Sequence, residues 1–406
     1  MKTSDFCRYT RGLQLGFVAA LGLAVGGCSH AVDVSALPNE ASSAGIPVRD
    51  QNVQPGDIPA AWQCFPFGKQ GKRPPADASE QASWRPDVDP MIANGCTVAG
   101  AREKEKLQKL AIALLEDIGG GTYRRYCTGT PIRFDPTSGV GFVVSAAHCV
   151  LDAEKPAGQA ITPDDISIFR NNKATIYQGL IGTVTDKASL TGQINAVYVP
   201  SRYCKEAPMN GGCRNLEKQN GDIAVLKIVV DKGKTLGVLP DLQLAPKTLV
   251  IDSAQSIMAL GYGFNEDHHL KHRDQTELHY VDYQFFATDA YKTVHSEASL
   301  MNGYFIAGRN KCIASRTCYI EIICGGDSGG GDFYWDGSRW DLIGAHSFGG
   351  SGYCGGEGLR AYGHVADVSA DVRPFTAWIE EILRVDTAPT GCARLDDKYV
   401  CRARHD

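Results

Sequence analysis

Three short segments of the 406-residue chain carry residue types that do chemistry. Val144-Ser-Ala-Ala-His-Cys149 runs from strand-like residues into small ones and then into His148, flanked by a cysteine. Asn220-Gly-Asp-Ile-Ala-Val-Leu226 sets Asp222 ahead of a continuous apolar run. A carboxylate at the start of a buried strand must find a donor, because burying it unpaired is costly. Cys324-Gly-Gly-Asp-Ser-Gly-Gly-Gly331 embeds Ser328 among glycines. Backbone without side chains comes close to a carbonyl and offers unobstructed N–H groups, which is what binding an oxyanion requires. A phosphate-binding loop is also glycine-rich. It ends in Lys-Ser or Lys-Thr or follows the dinucleotide spacing, and neither pattern is present. Taken singly, His148 reads as a packed structural histidine and Asp222 as a turn acid; the serine segment resists so plain a reading.

Together and in this order, the segments resemble the chymotrypsin-like (trypsin-like) serine peptidase family, whose signatures follow the chain order His, Asp, Ser. The resemblance implies His148 as general base, Asp222 as its orienting acid and Ser328 as nucleophile, with the N–H groups of Gly326 and Ser328 as the oxyanion hole. Asp327 would be the acid that pairs with a buried cation to shape that hole. His148 and Asp222 stand 74 residues apart and Asp222 and Ser328 stand 106 apart; the first interval is long and implies an insertion around Cys204 to Cys213. The implied fold is all-β: two six-stranded antiparallel Greek-key barrels closed by a C-terminal helix, for which Phe375 to Leu383 is the candidate. Tyr126-Cys-Thr-Gly-Thr130 resembles the strand that pairs its cysteine with the one after the histidine, implying Cys127–Cys149, and Leu260-Gly-Tyr-Gly263 resembles the opening of the second barrel. Gly344-Ala-His-Ser-Phe-Gly349 resembles the substrate-binding strand, with Ser347, Phe348 and Gly349 as the edge a peptide pairs with and Cys324–Cys354 crossing the specificity pocket.

The family's freed N-terminal Ile-Val-Gly-Gly has no counterpart before Cys127, so an arginine side chain is the other candidate for the cation beside Asp327. Ile322 and Ile323 stand where an acid would select Arg or Lys, which favours apolar over basic substrates. His346 occupies the position of a histidine found in members that cleave after Glu, which makes an acidic preference the second option. The expected function is a serine endopeptidase acting on peptide or protein substrates through an acyl-enzyme. The alternatives are a catalytically silent homologue serving as a surface binding or adhesion module, and a non-proteolytic acyl hydrolase.

The elements that must position these residues are legible more coarsely. From Tyr126 to about Thr248 the texture is short β-rich runs broken by Gly, Pro, Asn and Asp: Gly141 to Ser145, Ile166 to Phe169, Ala196 to Val199 and Ile223 to Val230. That pattern argues an all-β barrel or sandwich. Before it, Leu107, Leu110, Ala111, Leu114, Leu115 and Ile118 fall at helical spacing ahead of three glycines, predicting one amphipathic helix within 101–121. The protease domain is expected over 122–386, and a C-terminal disulfide tail over 387–406.

Composition excludes several function classes. The net charge of −5 leaves no basic field to hold nucleic acid. Four histidines, His268, His269, His272 and His279, lie among charged residues in an expected solvated loop, so no metal and no cofactor is expected. Lys2, Arg8 and Arg11 precede an uncharged, mostly apolar run, Leu13 to Gly27, which is short for a membrane span and right for a signal peptide over 1–27. The run ends Val25-Gly26-Gly27-Cys28, which resembles a bacterial lipobox, so Cys28 is the expected lipidation site and the membrane is met through that anchor alone. The expected place is the bacterial cell envelope or the exterior. Residues 28–100, rich in proline, read as a tether or pro-segment. Fourteen cysteines indicate an oxidising compartment. Setting aside Cys7 and Cys28 leaves an even number, for which Cys64–Cys96, Cys204–Cys213, Cys312–Cys318 and Cys392–Cys401 complete the plausible bridges. Oligomeric state is not legible.

Overall fold

The structure, a computed structural model, describes residues 56–63, 96–150, 168, 172–180, 183–200, 222–252, 255–263, 277–286, 304–314, 317–321, 323–349, 367–384, 392–395 and 398–403. For residues 183, 283–286, 304–314, 317–321, 348–349, 367, 392–395 and 398–403 it describes the backbone alone. The apolar runs of the sequence become strands. In chain order they begin with β1 (Cys96–Thr97), β2 (Ile112–Gly119), β3 (Thr122–Asp135), β4 (Val140–Ser145), β5 (Thr175–Tyr177), β6 (Thr183–Val184), β7 (Gly192–Pro200) and β8 (Ala224–Val230). There follow β9 (Leu242–Leu244), β10 (Ser256–Gly261), β11 (His279–Phe286), β12 (Tyr304–Ala314), β13 (Thr317–Glu321), β14 (Gly331–Trp335), β15 (Trp340–Gly349) and β16 (Asp367–Asp371). Among the described residues the last two strands are β17 (Cys392–Leu395) and β18 (Lys398–Ala403), and two α-helices are α1 (Lys104–Leu107) and α2 (Thr376–Arg384).

In the first sheet β7, β5, β2, β3, β4 and β8 pair antiparallel in that order, and β8 pairs back onto β7, closing a six-stranded barrel. Closure removes the open edges that a sheet otherwise presents. In the second sheet the order is β11, β10, β14, β15, β16, β12, again antiparallel, and β11 also pairs β12. The expected C-terminal tail is joined to the first sheet: β17 and β18 form a hairpin whose second strand runs parallel to β7, Tyr399 opposite Ala196.

The expected β runs at Gly141, Ala196 and Ile223 are β4, β7 and β8; of the expected run at Ile166 only Ile168 is described, and it is a correction, helical rather than extended, buried in the barrel's core with its carbonyl accepting from Lys173 N–H at 2.9 Å instead of from a neighbouring strand. Thr376–Arg384 is helical as expected, behind a 3-10 turn at Arg373–Phe375, and buries Trp378, Ile379 and Ile382. The expected helix at 101–121 is a correction. Only Lys104–Leu107 is α-helical, a 3-10 turn covers Gln108–Leu110, and Ile112–Gly119 is strand β2, paired on one side with β3 and on the other with β5. The physical reason lies in burial. Ile112 and Leu114 pack in the barrel's own core, whereas Ala111, Ala113 and Leu115 pack in the large core that also holds Leu260, Phe333, Leu342 and Trp378. A strand with two buried faces needs no polar alternation, and its unbroken apolar run also satisfies helical spacing. The same division recurs in β4, with Val143 in one core and Phe142 and Val144 in the other, and in β10, where Met258 and Leu260 face the large core and Ile257 and Ala259 a third. Each of the Val, Leu, Ile, Phe and Met side chains among them is worth roughly 1.5–3 kcal/mol of burial.

Candidate active site

His148 sits in a single 3-10 turn, Ala147–Cys149, that leaves the end of β4. The turn is pinned by Cys127–Cys149, a disulfide joining it to β3 across 22 residues. Closing a loop of that length stabilises the fold by about 3 kcal/mol in the chain-entropy account. Asp222 stands two residues before β8, which pairs with β4, so adjacent strand ends bring the histidine and the acid together. The His148 N–H donates to Asp222 Oδ1 at 2.8 Å, and His148 Nδ1 bonds Asp222 Oδ2. Ser347 Oγ donates to Oδ2 as well, at 2.8 Å. Asp222 is buried; burial pushes its carboxyl up, but the His148 charge and the hydrogen bonds from His148 and Ser347 outweigh this and hold it below the ordinary carboxylate value. An ionised carboxylate only accepts, so Nδ1 carries the proton and Nε2 keeps its lone pair. Nε2 lies 3.8 Å from the disulfide sulfur of Cys149, and His148 is 28% exposed.

Ser328 lies in the turn between Ile323 and β14. Both halves of the molecule hold this turn. From β3, Thr128 N–H donates to the Ser328 carbonyl at 2.8 Å and Thr128 Oγ1 to the Gly326 carbonyl at 2.8 Å, while Tyr262 N–H donates to Thr128 Oγ1 at 3.1 Å. From β15, the His346 carbonyl accepts from Gly329 N–H and His346 N–H donates to the Gly330 carbonyl, each at 2.8 Å. Two glycines are required by this path. Gly329 has φ +81°, and a Cβ there would meet Ser145 Oγ at 2.1 Å and the Thr128 carbonyl at 2.4 Å; Gly326 has φ +97°, and its Cβ would meet Arg125 Nη1 at 2.3 Å. Among the described residues, neither the N–H groups of Gly326 and Ser328 nor Ser328 Oγ has a hydrogen-bond partner. They are therefore available to a bound carbonyl and, on a serine rotor, to an approaching base.

The trypsin family model matches residues 118–379, more than half of the chain. The chain belongs to the trypsin family. It is a family of serine peptidases, hydrolases that take peptide or protein substrates. No curated protein matches the chain.

Other sequence candidates of this trypsin-family chain fall as follows. Ile323 is buried, and Ile322 lies outside the described residues. Phe348 and Gly349 end β15, of which only the backbone is described there. His346 is wholly buried: Nε2 is 3.1 Å from Asp332 Oδ1 and Nδ1 is 3.2 Å from the Asp327 carbonyl. Cys96 and Cys324 are disulfide-bonded, and Cys64, Cys204, Cys213 and Cys354 lie outside the described residues. Cys312 stands opposite Cys318 and Cys392 opposite Cys401 in strand register. The one described cluster with metal-ligand geometry, Cys127, His148 and Cys149, has its two sulfurs in the disulfide and so has no thiolate to offer. His279 is buried with Nδ1 3.1 Å from the Glu277 carbonyl; His268, His269 and His272, like Cys28, lie outside the described residues.

Sequence reading missed Arg125, Thr128 and Asp332. Their signal is faint: charged and hydroxyl residues at strand positions, where the apolar texture gives no reason to expect a neighbour some 200 residues away. Thr128 and Gly326 are 198 residues apart.

Proposed function

We propose that the protein is a serine endopeptidase that cleaves peptide bonds through His148, Asp222 and Ser328. The observation that supports this is the buried Asp222 carboxylate on Nδ1 of His148, which leaves the role of proton acceptor to Nε2. Cys149 Sγ, one residue from His148, is 3.5 Å from the Ser328 carbonyl. In the first step Nε2 takes the proton of Ser328 Oγ as that oxygen attacks the substrate carbonyl, and the tetrahedral oxyanion is received by the N–H groups of Gly326 and Ser328. Asp222 stabilises the imidazolium so formed. The proton passes to the leaving amine, the amine departs, and an acyl-enzyme ester on Ser328 remains. Water, deprotonated by the same nitrogen, then releases the acid.

The pairing of β11 with β12 supports reading the second sheet as the family's second barrel. The signal over 1–27 and the lipid anchor on Cys28 rest on the sequence, and place the enzyme in the envelope of a bacterial cell or outside it. The remaining disulfides are proposed as paired above. A fluorophosphonate probe tests the central claim. Ser328 should be labelled in the folded wild-type protein and labelling should vanish in Ser328→Ala; a folded wild-type sample that stays unlabelled overturns the reading.

A further inference from the structure

Residues 56–63 lie well ahead of the trypsin-family match, which begins at residue 118, yet their apolar side chains are interior. Ile58 is 5% and Trp62 7% exposed, and both pack in the large core that also holds Leu107, Trp340 and Leu342. The Trp62 ring meets Trp340 edge-on with centroids 5.3 Å apart, and Trp340 meets Trp335 in the same manner at 5.1 Å. Lys106 Nζ, from α1, lies 5.8 Å from the centroid of the Trp62 ring, within cation–π reach. Backbone bonds hold both ends of the segment. Gly56 N–H donates to the Trp335 carbonyl at 2.5 Å, and the Gln63 carbonyl accepts from the Tyr280 hydroxyl at 3.3 Å.

The stretch from Cys96 to Leu110 is tied in as well. Cys96 stands opposite Tyr280 in the pairing of β1 with β11, and the buried Val98 donates its N–H to the Leu278 carbonyl at 2.9 Å. Gln178 Nε2 donates both to the Gln108 carbonyl, at 3.2 Å, and to the Gly237 carbonyl, at 2.8 Å. Leu107 and Leu110 are wholly buried in the same core as Trp62. Contacts made to be released are small and polar; these are apolar, deeply buried and closed by backbone bonds.

What Trp62 packs against connects the segment to the site. β14 leaves the Ser328 turn at Gly331, and β15 returns through Ser347, whose hydroxyl bonds Asp222. Trp335 and Trp340 are the paired residues at the far end of that hairpin. A buried tryptophan covers about 150–250 Å². Without Trp62, the wholly covered face of Trp340 would be opened to water at the end of the hairpin that carries the nucleophile turn.

We propose that residues 56–63 and 96–110 form a permanent strap of the catalytic domain, retained in the active protein, and that Trp62 is a positioning residue: it braces the Trp335–Trp340 end of the β14–β15 hairpin and, through it, the Ser328 turn. The inference rests on the serine-peptidase reading above. It sets the start of the working domain at or before Gly56 rather than at residue 122, so no cut that releases this segment precedes activity.

The test uses the full chain, its Trp62→Ala and Trp62→Phe variants, and Ser328→Ala as the labelling control. Native mass measurement of the wild-type protein labelled by the fluorophosphonate should find residues 56–63 in every labelled molecule. Trp62→Ala should lower the thermal midpoint by roughly 10 °C. At a temperature where circular dichroism shows all variants folded, it should also lower kcat on a peptide ester by about 10–10²-fold with KM changed only a few-fold, a split that lost stability alone does not produce. Trp62→Phe should recover most of that loss. The proposal fails if labelled, active molecules lack residues 56–63, or if folded Trp62→Ala keeps wild-type kcat. Should Trp62→Ala not fold, Trp62→Leu takes its place under the same criteria. If folded wild-type protein is not labelled at Ser328, the serine-peptidase reading itself has failed; if Ser328 is labelled and the folded Trp62 variants are normal, only this inference has.

Discussion

His148 and Asp222, the proposed base and acid, are positioned by the first sheet in a different way from Ser328, the proposed nucleophile, in the second. His148 and Asp222 sit at the ends of neighbouring strands, β4 and β8, fixed by a disulfide and two direct hydrogen bonds, with a further hydrogen bond to Asp222 from Ser347 Oγ on β15. Ser328 sits on a glycine turn with little side-chain packing of its own, and its path is set from outside by Thr128, by the β15 backbone and by the buried Asp327. One half of the site is rigid because its elements are rigid. The other is rigid because distant residues over-determine it, while the lack of a Cβ lets Gly329 and Gly326 take φ +81° and φ +97°.

Substitutions can break this contrast, in descending order of effect. Ser328→Ala or His148→Ala removes a chemical group and should cost about 10⁵–10⁶-fold in kcat, measured by ester hydrolysis. Asp222→Asn leaves the turn in place but loses the Nδ1 tautomer and should cost about 10⁴-fold. The same variant has a stability signature. The folded carboxyl of Asp222 lies below its unfolded value, so its contribution is complete above the ordinary carboxylate pKa and is lost as pH falls through the lower folded value. Denaturant unfolding should therefore separate wild type from Asp222→Asn at pH 7, and the gap should close as the solution is acidified below about pH 4.

Thr128→Val tests the other half, because it deletes the donor to Gly326 and the acceptor for Tyr262 without touching a reacting atom. It should cost about 1–3 kcal/mol in unfolding free energy through the groups left unsatisfied, with a fall in kcat larger than any change in KM. A strand-against-helix test of β2 is sharper in contrast than in size. Leu114→Ala and Leu115→Ala, one in each core, should each cost about 2–5 kcal/mol, whereas Ile118→Ala, 44% exposed, should stay within about 0.5 kcal/mol. A helix would have put Ile118 on the same buried stripe as Leu114 and Leu115, so equal losses at all three would contradict the strand.

What was legible in advance divides along the same line. The β4 and β8 runs, the C-terminal helix and the Cys127–Cys149 pair were readable because each is a local pattern or a local pattern matched to a family. The side chain packed against the Ser328 turn was not: Arg125 and Gly326 stand 201 residues apart, and an arginine in a strand carries no mark of facing inward. The β2 error has a similar cause, since two buried faces erase the alternation that identifies a strand.

By itself the sequence determined the residue types capable of the chemistry, their order and the glycines that let backbone approach a carbonyl, because these are properties of short segments and of allowed φ. Tertiary structure decided that Ser347 supports Asp222, that His346 lies buried between Asp327 and Asp332, and that Arg125 packs under Gly326. Charge burial is the reason: a carboxylate withdrawn from water must find its partners wherever the folded chain brings them, and only the packing of one sheet against the other chooses which side chains those are.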